Sequence, residues 1–280
     1  MTGFDADAIR REFAAIRGAR GNWIGFTEAG DAGLDLSWRQ ALLAPGSYYD
    51  GAVLITKGVY DRFIDAVMGI CGHGVPVDVH AGCTGWGGTA VEPNVMPVER
   101  QLAQVRELLD RGFPAERLTL RIDPIFPTEA GIARATSVVD AAYKEGILPG
   151  CRVRFSVFDQ YPHVAERFRQ AGLPPVYPDG AKYAPDYAFR QLAEALGRYP
   201  LAFESCAEPG MPDRCGKATF PRTGCLSHTD FVRMGLVGDE RPGSNNQRRD
   251  GCLCNAAKHE MLHNRRPCAH GCLYCYWRDR

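Results

Sequence analysis

No apolar run in this sequence is long enough to cross a membrane. The longest apolar stretches, such as Ala52–Ile55, fall far short of the roughly eighteen residues that a membrane-spanning helix needs. The first residues, Met1-Thr-Gly-Phe-Asp-Ala-Asp, have neither the basic region nor the apolar region of a secretory signal peptide. We therefore expect a protein without membrane association that is located in the cytoplasm.

The chain also has no net charge, because 33 basic residues balance 33 acidic ones. This balance argues against a global electrostatic attraction to nucleic acids or acidic membranes. The charge is uneven, however: residues 248–280 contain seven Lys or Arg against three Asp or Glu, together with three histidines. This basic segment is either a solvated surface or a patch for a phosphate-bearing substrate.

Over residues 1–208, apolar segments of strand length alternate with amphipathic helical segments. The predicted strands are Asn22–Thr27, Ala52–Thr56, Val75–Ala81, Leu118–Ile122, Val153–Phe158 and Leu201–Ser205. The predicted helices are residues 5–17, Tyr60–Ile70, Val98–Arg111, Ala130–Glu145, Pro162–Ala171 and Pro185–Arg198. This alternation is typical of an α/β fold, and we expect a full or partial βα (TIM-like) barrel of parallel strands. Polar residues gather directly after several strands, where such barrels form their active sites.

The character of the chain changes after residue 208. Residues 209–280 are rich in Gly, Pro, Asn and Arg, and they contain no further strong strand pattern. We therefore predict an irregular C-terminal segment that packs on the barrel mouth. A metal centre would supply the order that a hydrophobic core does not.

Eleven cysteines are many for a cytoplasmic chain. Cys71, Cys83 and Cys151 stand singly in apolar surroundings and are predicted to be buried as small hydrophobic residues. The other eight follow residue 205, and five of them lie between Cys252 and Cys275. In a reducing compartment such clustering indicates metal ligands or redox groups before disulfides.

The run Cys268-Ala-His-Gly-Cys272-Leu-Tyr-Cys275 is the strongest motif. Three cysteines at this spacing can converge on one short loop and bind three irons of a cubane cluster, which leaves the fourth iron open to a small molecule. The run resembles the signature of radical S-adenosylmethionine (SAM) enzymes, including the aromatic Tyr274 before the third cysteine. The resemblance implies a 4Fe–4S cluster on Cys268, Cys272 and Cys275 that binds SAM and yields a deoxyadenosyl radical.

A second resemblance covers most of the chain. It rests on Ile55-Thr56-Lys57, Glu92-Pro-Asn-Val-Met-Pro97, Arg121-Ile-Asp123-Pro-Ile, Ser156-Val-Phe-Asp-Gln-Tyr161, Cys206-Ala-Glu208, Gln247-Arg248, Cys252-x-Cys254 and the Cys268–Cys275 run, in that order. Together they are similar to the family with domain of unknown function 1848. The resemblance implies a barrel whose cluster loop comes last, as if circularly permuted. The family usually opens with Ser-Arg-Arg-Thr-Asp, whereas this chain has Gly25-Phe-Thr-Glu-Ala-Gly-Asp31.

Four further cysteines match positions of this family, whereas Cys215 does not clearly do so. Cys206, Cys225, Cys252 and Cys254 are as many as a second cluster needs. They form a second 4Fe–4S cluster or a zinc site, or they are unconnected thiols. In a competing interpretation, zinc is bound in a structural ribbon by Cys252, Cys254, Cys268 and Cys272.

The run His259-Glu-Met-Leu-His263 fits the H-E-x-x-H metalloprotease pattern on a plausible helix. That mechanism needs a third protein ligand, and the chain has no glutamate after Glu260. The longer metzincin pattern also fails, because Arg266 stands where a glycine is required. We therefore expect two histidines on a solvated helix beside the cluster.

Residues that follow the predicted strands are candidates for cofactor binding. The amides of Gly85 and Gly87 could receive the methionine part of SAM, or this run could be a flexible turn. Arg121 and Asp123 could bind the cofactor carboxylate and ribose, or form an ion pair at the barrel mouth. Comparable positions are occupied by Ser156, Asp159 and Glu208. Aromatic rings that could stack on adenine or a base, or simply pack, are those of Tyr161, Tyr274, Tyr276 and Trp277.

These patterns together predict a cytoplasmic radical SAM enzyme that abstracts hydrogen from a substrate near the strand ends. A phosphorylated metabolite, a nucleotide and a base in nucleic acid all suit the basic C-terminal segment, and a flavodoxin or ferredoxin would supply electrons. The sequence does not identify the residues that exchange hydrogen with the substrate. The alternative is a non-enzymatic zinc- or iron–sulfur-binding module that recognises a partner such as nucleic acid.

Overall fold

The computed structural model describes residues 22–177, 180–236, 251–255, 257–262 and 268–278, together with Ala8 and Glu12. Ala8 and Glu12 are helical, and the rest of the helix predicted over residues 5–17 lies outside the described residues. None of the helices in the described part is long and apolar enough to span a membrane.

The architecture is an eight-stranded parallel sheet with helices on its outer face. All six predicted strands are present, as β1 (Ile24–Phe26), β2 (Gly51–Thr56), β3 (Val77–Gly82), β4 (Leu118–Ile125), β5 (Arg152–Val157) and β6 (Phe203–Cys206). The helices are α1 (Trp38–Leu43), α2 (Asp61–Gly72), α3 (Val98–Asp110), α4 (Glu129–Lys144), α5 (Pro162–Gln170), α6 (Asp186–Gly197) and α7 (His228–Arg233), with a 3₁₀ turn at Ala115–Arg117. The predicted α/β fold is therefore confirmed.

The segment 209–280, predicted to be irregular, contains four short strands among its described residues. A small antiparallel pair, β7 (Arg214–Cys215) and β8 (Ala218–Thr219), is followed by β9 (Arg222–Thr223) and β10 (Lys258–Glu260). The last two join the main sheet, whose order is β10-β1-β2-β3-β4-β5-β6-β9. Strands of two or three mostly polar residues carry no apolar periodicity, so these strands could not be predicted from the sequence pattern.

Strand β10 also replaces the helix predicted for the H-E-x-x-H run. His259 pairs in register with Gly25 of β1, and its ring stacks on the indole of Trp23 with 4.1 Å between centroids. His263 lies outside the described residues. The histidine pair on one helix face that a zincin requires is therefore not formed, because pairing with β1 extends the backbone here.

The sheet curls into a half-barrel, which makes the fold a partial TIM-like barrel. Its outward side chains are apolar and pack under the helices, as Leu54 and Val79 do beneath Phe63 and Ile64 of α2. Burial of this apolar surface is the main driving force for the layered arrangement.

The inner face of the half-barrel holds a buried network of charges. Arg152 and Arg154 alternate with apolar residues along β5 and point inward. Arg152 pairs with Asp78 at 2.6 Å and with Asp230 at 2.5 Å. Arg154 pairs with Glu204 at 2.6 Å and with Asp230 at 3.1 Å. Asp230 of α7 therefore links both arginines, and it ties the C-terminal segment into the barrel interior.

The two edges of the half-barrel do not pair with each other. Between β9 and β10 the chain runs through residues 224–226 and 253–255, where the Asn255 amide donates to the Leu226 carbonyl at 2.9 Å. At Gly224 a Cβ atom would stand 2.5 Å from the Cys254 amide nitrogen, so only glycine permits this approach. Irregular backbone thus fills the gap that a closed barrel would fill with hydrogen-bonded strands.

Removing the Asp230 carboxylate should destabilise the fold strongly, because it leaves two buried guanidinium groups without their shared partner. We predict that Asp230→Ala lowers the free energy of unfolding by about 3–5 kcal/mol, measured by urea denaturation. Asp110→Ala is the matched control, since Asp110 pairs with Arg106 on an exposed helix surface, and it should change the midpoint little. Equally small shifts of the urea midpoint in both variants would contradict a stabilising role for the buried network.

Candidate functional site

A cavity of about 280 Å³ opens where the strands of the half-barrel end. Its wall combines strand-end residues of the sheet with the loop 268–278, here called the cysteine loop. All seven cysteines predicted as metal ligands line it: Cys206, Cys225, Cys252, Cys254, Cys268, Cys272 and Cys275. The fold therefore brings cysteines that are far apart in sequence, from Cys206 to Cys275, to one cavity.

The cysteine loop is docked on residues 91–94, which follow β3. The Asn94 side-chain amide donates to the Ala269 carbonyl at 2.8 Å, and the Leu273 amide donates to the Val91 carbonyl at 2.9 Å. Gly271 turns the loop with a φ of +64°, a conformation that other residues rarely adopt. These contacts fix the backbone that carries the three motif cysteines.

Two arginines hold the remaining carbonyls of the cysteine loop. Arg167 of α5 donates to the Cys275 carbonyl at 2.6 Å, and Arg278 donates to the Gly271 carbonyl at 2.9 Å. Both bonds engage backbone oxygens and not sulfur atoms. They hold the loop in place while Cys268, Cys272 and Cys275 line the cavity.

His270, between the first two motif cysteines, contacts Asp31 with 3.0 Å between Nε2 and Oδ2. Asp31 also accepts hydrogen bonds from the Thr56 hydroxyl and from the Lys57 amide, both at 2.7 Å. Although burial opposes ionisation, these bonds, led by that with His270, hold the pKa of Asp31 below its ordinary value. An ionised Asp31 therefore ties the loop to the end of β2.

Lys57 places a positive charge beside the motif cysteines. Its Nζ atom lies 2.9 Å from Oε1 of Glu92, and the Tyr274 hydroxyl donates to the same oxygen. Burial disfavours the charged ammonium, but the carboxylate of Glu92 and then the nearby Cys272 keep the pKa of Lys57 above its usual range. Lys57 is accordingly a cation at neutral pH, positioned to offset negative charge on Cys272.

The predicted pair Arg121 and Asp123 forms an ion pair in the cavity wall. The Ser156 hydroxyl donates to the other oxygen of Asp123, so the carboxylate is held from two sides. Arg121 also directs a guanidinium nitrogen at the Cys225 sulfur, 3.6 Å away. Three predicted cofactor-binding residues therefore meet at one place, between the two groups of cysteines.

Cys206, Cys225, Cys252 and Cys254 form a second group that lines the cavity. The sulfurs of Cys206 and Cys225 are 3.5 Å apart, and the Cys225 amide donates to the Cys254 sulfur at 3.1 Å. Cys252 neighbours Cys254, whose thiol lowers the pKa of Cys252 by hydrogen bonding.

In the described part of the chain, neither cysteine group has three sulfur atoms within 4.8 Å of one another. Among the described residues, only Asp78, His80 and Asp230 place three metal-binding atoms within 4.8 Å of one another. Both carboxylates of that trio are already paired with arginines. The ribbon set Cys252, Cys254, Cys268 and Cys272 therefore does not form a tetrahedral arrangement.

Burial sets the protonation of the thiols in the cysteine loop. It raises the pKa of Cys268 to about 11 and that of Cys272 to about 12. Thiols with such pKa values are protonated at neutral pH, whereas only thiolates bind metals. A metal that bound at the cysteine loop would therefore have to displace these protons.

Other predicted residues divide between the cavity and its surroundings. Asp159, Tyr161, Tyr276 and Trp277 line the cavity, as does Tyr274. Gly85 and Gly87 do not: Gly85 packs against Arg134, and Gly87 lies against the Met96 carbonyl. Glu208 is also outside the lining, where it accepts a hydrogen bond from the Val157 amide at 2.6 Å.

Of the three isolated cysteines, Cys83 and Cys151 are buried and Cys71 is half-buried.

Several cavity residues received no role from the sequence. Lys57 and Asp31 lie in the sequence segments that were compared with the family. Lys57 directly follows β2, so the tendency of active-site residues to follow strands could have identified it. Lys258 and Glu28 form an ion pair of 2.9 Å at the cavity. Strand β10, which carries Lys258, was not predicted, and no local signal marks the pair. Lys258 and Arg278, the two described basic residues of the segment 248–280, thus make internal contacts.

Comparison with curated proteins finds no match. Among solved structures, the chain is similar to the apo crystal structure of an endo-β-N-acetylglucosaminidase from Cordyceps militaris, with 15% identity over 74% of this chain and 75% of that one. The TM-score of 0.29 is too low to support an inference from this likeness. A family model matches residues 44–277, which is most of the 280-residue chain and includes both cysteine groups. The chain belongs to the family described as domain of unknown function (DUF1848).

Proposed function

We propose that the protein is a radical SAM enzyme whose 4Fe–4S cluster is held by Cys268, Cys272 and Cys275. The observation that carries the proposal is that all three motif cysteines line the cavity at the strand ends, together with charged and aromatic side chains. In a βα-barrel this end of the sheet is where catalysis takes place. When bound, the cluster would supply the electron that cleaves SAM to methionine and a deoxyadenosyl radical.

The residues present fit such a cluster in their chemistry and their surroundings. Cysteine thiolates are the usual ligands of iron–sulfur clusters, and three of them leave one iron for another ligand. The loop that carries them is fixed by backbone hydrogen bonds to residues 91–94, and its thiols border open space. Their spread beyond the reach of a single ion suits a group larger than one metal atom.

Lys57 and Glu92 have a supporting role in this proposal. Ligation turns three thiols into thiolates, and the ammonium of Lys57 beside Cys272 offsets part of that negative charge. Glu92 keeps Lys57 charged and holds the Tyr274 hydroxyl, which fixes the ring next to the third cysteine. Residues outside the ligand set thereby orient the loop, as is general for metal sites.

SAM would lie against the group Arg121, Asp123 and Ser156. Asp123 is a hydrogen-bond acceptor suited to ribose hydroxyls, and Arg121 is a donor suited to a carboxylate. Tyr161, Tyr276 and Trp277 offer aromatic faces in the same wall, suited to adenine or to a substrate ring. Gly85 and Gly87 have no part in the proposal, because they lie outside the lining.

The proposed substrate occupies the rest of the cavity, where the curled sheet and the cysteine loop limit the access of water to a reactive radical. Its class is open among phosphorylated metabolites, nucleotides and nucleic-acid bases. A flavodoxin or ferredoxin type of protein is the proposed electron donor.

The proposal predicts iron-dependent cleavage of SAM. Protein reconstituted anaerobically should be brown, contain iron and sulfide, and release 5′-deoxyadenosine when reduced with SAM present. Cys272→Ala should abolish release, because it removes one of the three ligands. Cys71→Ala is the control: this cysteine lies on α2 outside the cavity lining, and the variant should keep the activity.

The amount of 5′-deoxyadenosine that each variant releases is measured by chromatography. Release that persists in Cys272→Ala would refute the ligand assignment. Colourless protein with one zinc per chain and no release would favour a non-enzymatic metal-binding module.

The hydrogen bond between Asn94 and the cysteine loop leads to a second prediction, which concerns the rate of iron loss. Asn94→Ala should speed iron loss to a chelator by about 10-fold, because outer-shell contacts typically contribute this much to metal retention. Gln170→Ala, which removes an exposed amide on α5 that contacts Glu166, should release iron at the wild-type rate. Equal rates in both variants would show that the Asn94 contact does not retain the cluster.

A further inference from the structure

Four cysteines converge where the half-barrel is open. Cys206 ends β6, Cys225 follows β9, and Cys252 and Cys254 precede β10. These positions belong to the two sides of the gap between β9 and β10, where backbone pairing gives way to irregular chain. The four residues therefore face one another across the part of the sheet that lacks hydrogen-bonded closure.

We propose that Cys206, Cys225, Cys252 and Cys254 bind a second iron–sulfur cluster, independent of the cysteine loop. Cys206 and Cys225 lie 3.5 Å apart at their sulfurs, and the backbone of Cys225 donates to the Cys254 sulfur at 3.1 Å. Cys206, Cys225 and Cys254 are buried, and Cys252 is half-buried. Four thiolates satisfy all four irons of a cubane, so this cluster has no open position.

The spacing of the sulfurs favours a cluster over a single zinc ion. Four Zn–S bonds of about 2.3 Å at tetrahedral angles require every pair of sulfurs to lie about 3.8 Å apart. Within the described chain, no three of these four sulfurs are mutually within 4.8 Å. A cubane holds its four ligand sulfurs on different irons, farther apart than in a zinc site, so Cys206 and Cys225, whose sulfurs lie 3.5 Å apart, must separate when the cluster binds.

Positive charge next to the group is a second, independent observation. Arg121 is buried, and its guanidinium points at the Cys225 sulfur from 3.6 Å. A cluster with four thiolates carries net negative charge, which a guanidinium at this distance stabilises. Neutral thiols would leave part of that buried guanidinium facing weak acceptors.

A cluster at this place would also act as a covalent bridge across the open barrel. It would join β6 and the loop after β9 to the segment 252–254, which leads into β10. The short approach of Gly224 to Cys254 brings these backbones together before any metal binds. Loss of the cluster should therefore expose the gap to proteases, because only one backbone hydrogen bond, from Asn255 to Leu226, spans it among the described residues.

The test removes the three motif cysteines, so that only the second group of four cysteines can hold a cluster. The triple variant Cys268→Ala/Cys272→Ala/Cys275→Ala is reconstituted with iron and sulfide, and iron, sulfide and zinc per chain are measured. We expect about four iron atoms to remain, against about eight in the wild type, because each cubane holds four. Cys252→Ala/Cys254→Ala, with the motif intact, should also fall to about half. The control Cys71→Ala/Cys215→Ala should keep the full content.

The outcomes separate this proposal from the proposed function. Wild type with about four irons and a folded triple variant with none would overturn the second cluster while leaving the first. One zinc per chain in the triple variant, or a Cys206–Cys225 disulfide detected by mass spectrometry, would also overturn it. Iron retained by the triple variant supports it whether or not SAM is cleaved. If the triple variant does not fold by circular dichroism, the Cys252/Cys254 variant decides: unchanged iron content overturns the proposal.

Discussion

The hydrogen bonds between the cysteine loop and residues 91–94 are the contacts on which the candidate site depends. They join segments about 175 residues apart in sequence, and they bring the end of the chain over the end of β3. Together with the contact between His270 and Asp31, they set the position of the three motif cysteines relative to the strand ends. Asn94 and Glu92 contribute to the candidate site without being proposed ligands, because Asn94 holds the loop backbone and Glu92 contacts Lys57 and Tyr274.

The buried charges on the inner face of the half-barrel also stabilise this arrangement. Asp230 receives Arg152 and Arg154 and also accepts from the Ser227 amide at the start of α7. Burying these charges is costly unless each finds its partners, so the network fixes the position of α7 relative to β5. Arg154 also donates to the Cys225 carbonyl at 2.9 Å. The buried network therefore contacts the backbone that carries Cys225.

Much of the fold was predictable, because β2 to β5 and their helices have strong apolar periodicity. Arg121, Asp123 and Ser156 were predicted as site residues from their positions at strand ends, and all three line one cavity. The strands β9 and β10 were not predictable, since their few polar residues acquire strand geometry only by pairing with β6 and β1. For the same reason, sequence alone placed His259 on a helix. Gly85 and Gly87 show the opposite failure: a glycine-rich turn that suggests cofactor binding serves close packing against Arg134 and Met96.

In the proposed enzyme, one iron of a cluster on the cysteine loop binds SAM directly. Electron–nuclear double resonance on the reduced protein tests this binding, with SAM isotopically labelled at its amino nitrogen and carboxylate oxygen. We expect hyperfine couplings from both labels, because chelation through both groups places these atoms in the first coordination sphere of the iron. A clean cluster signal without coupling to either label would show that SAM does not bind the cluster.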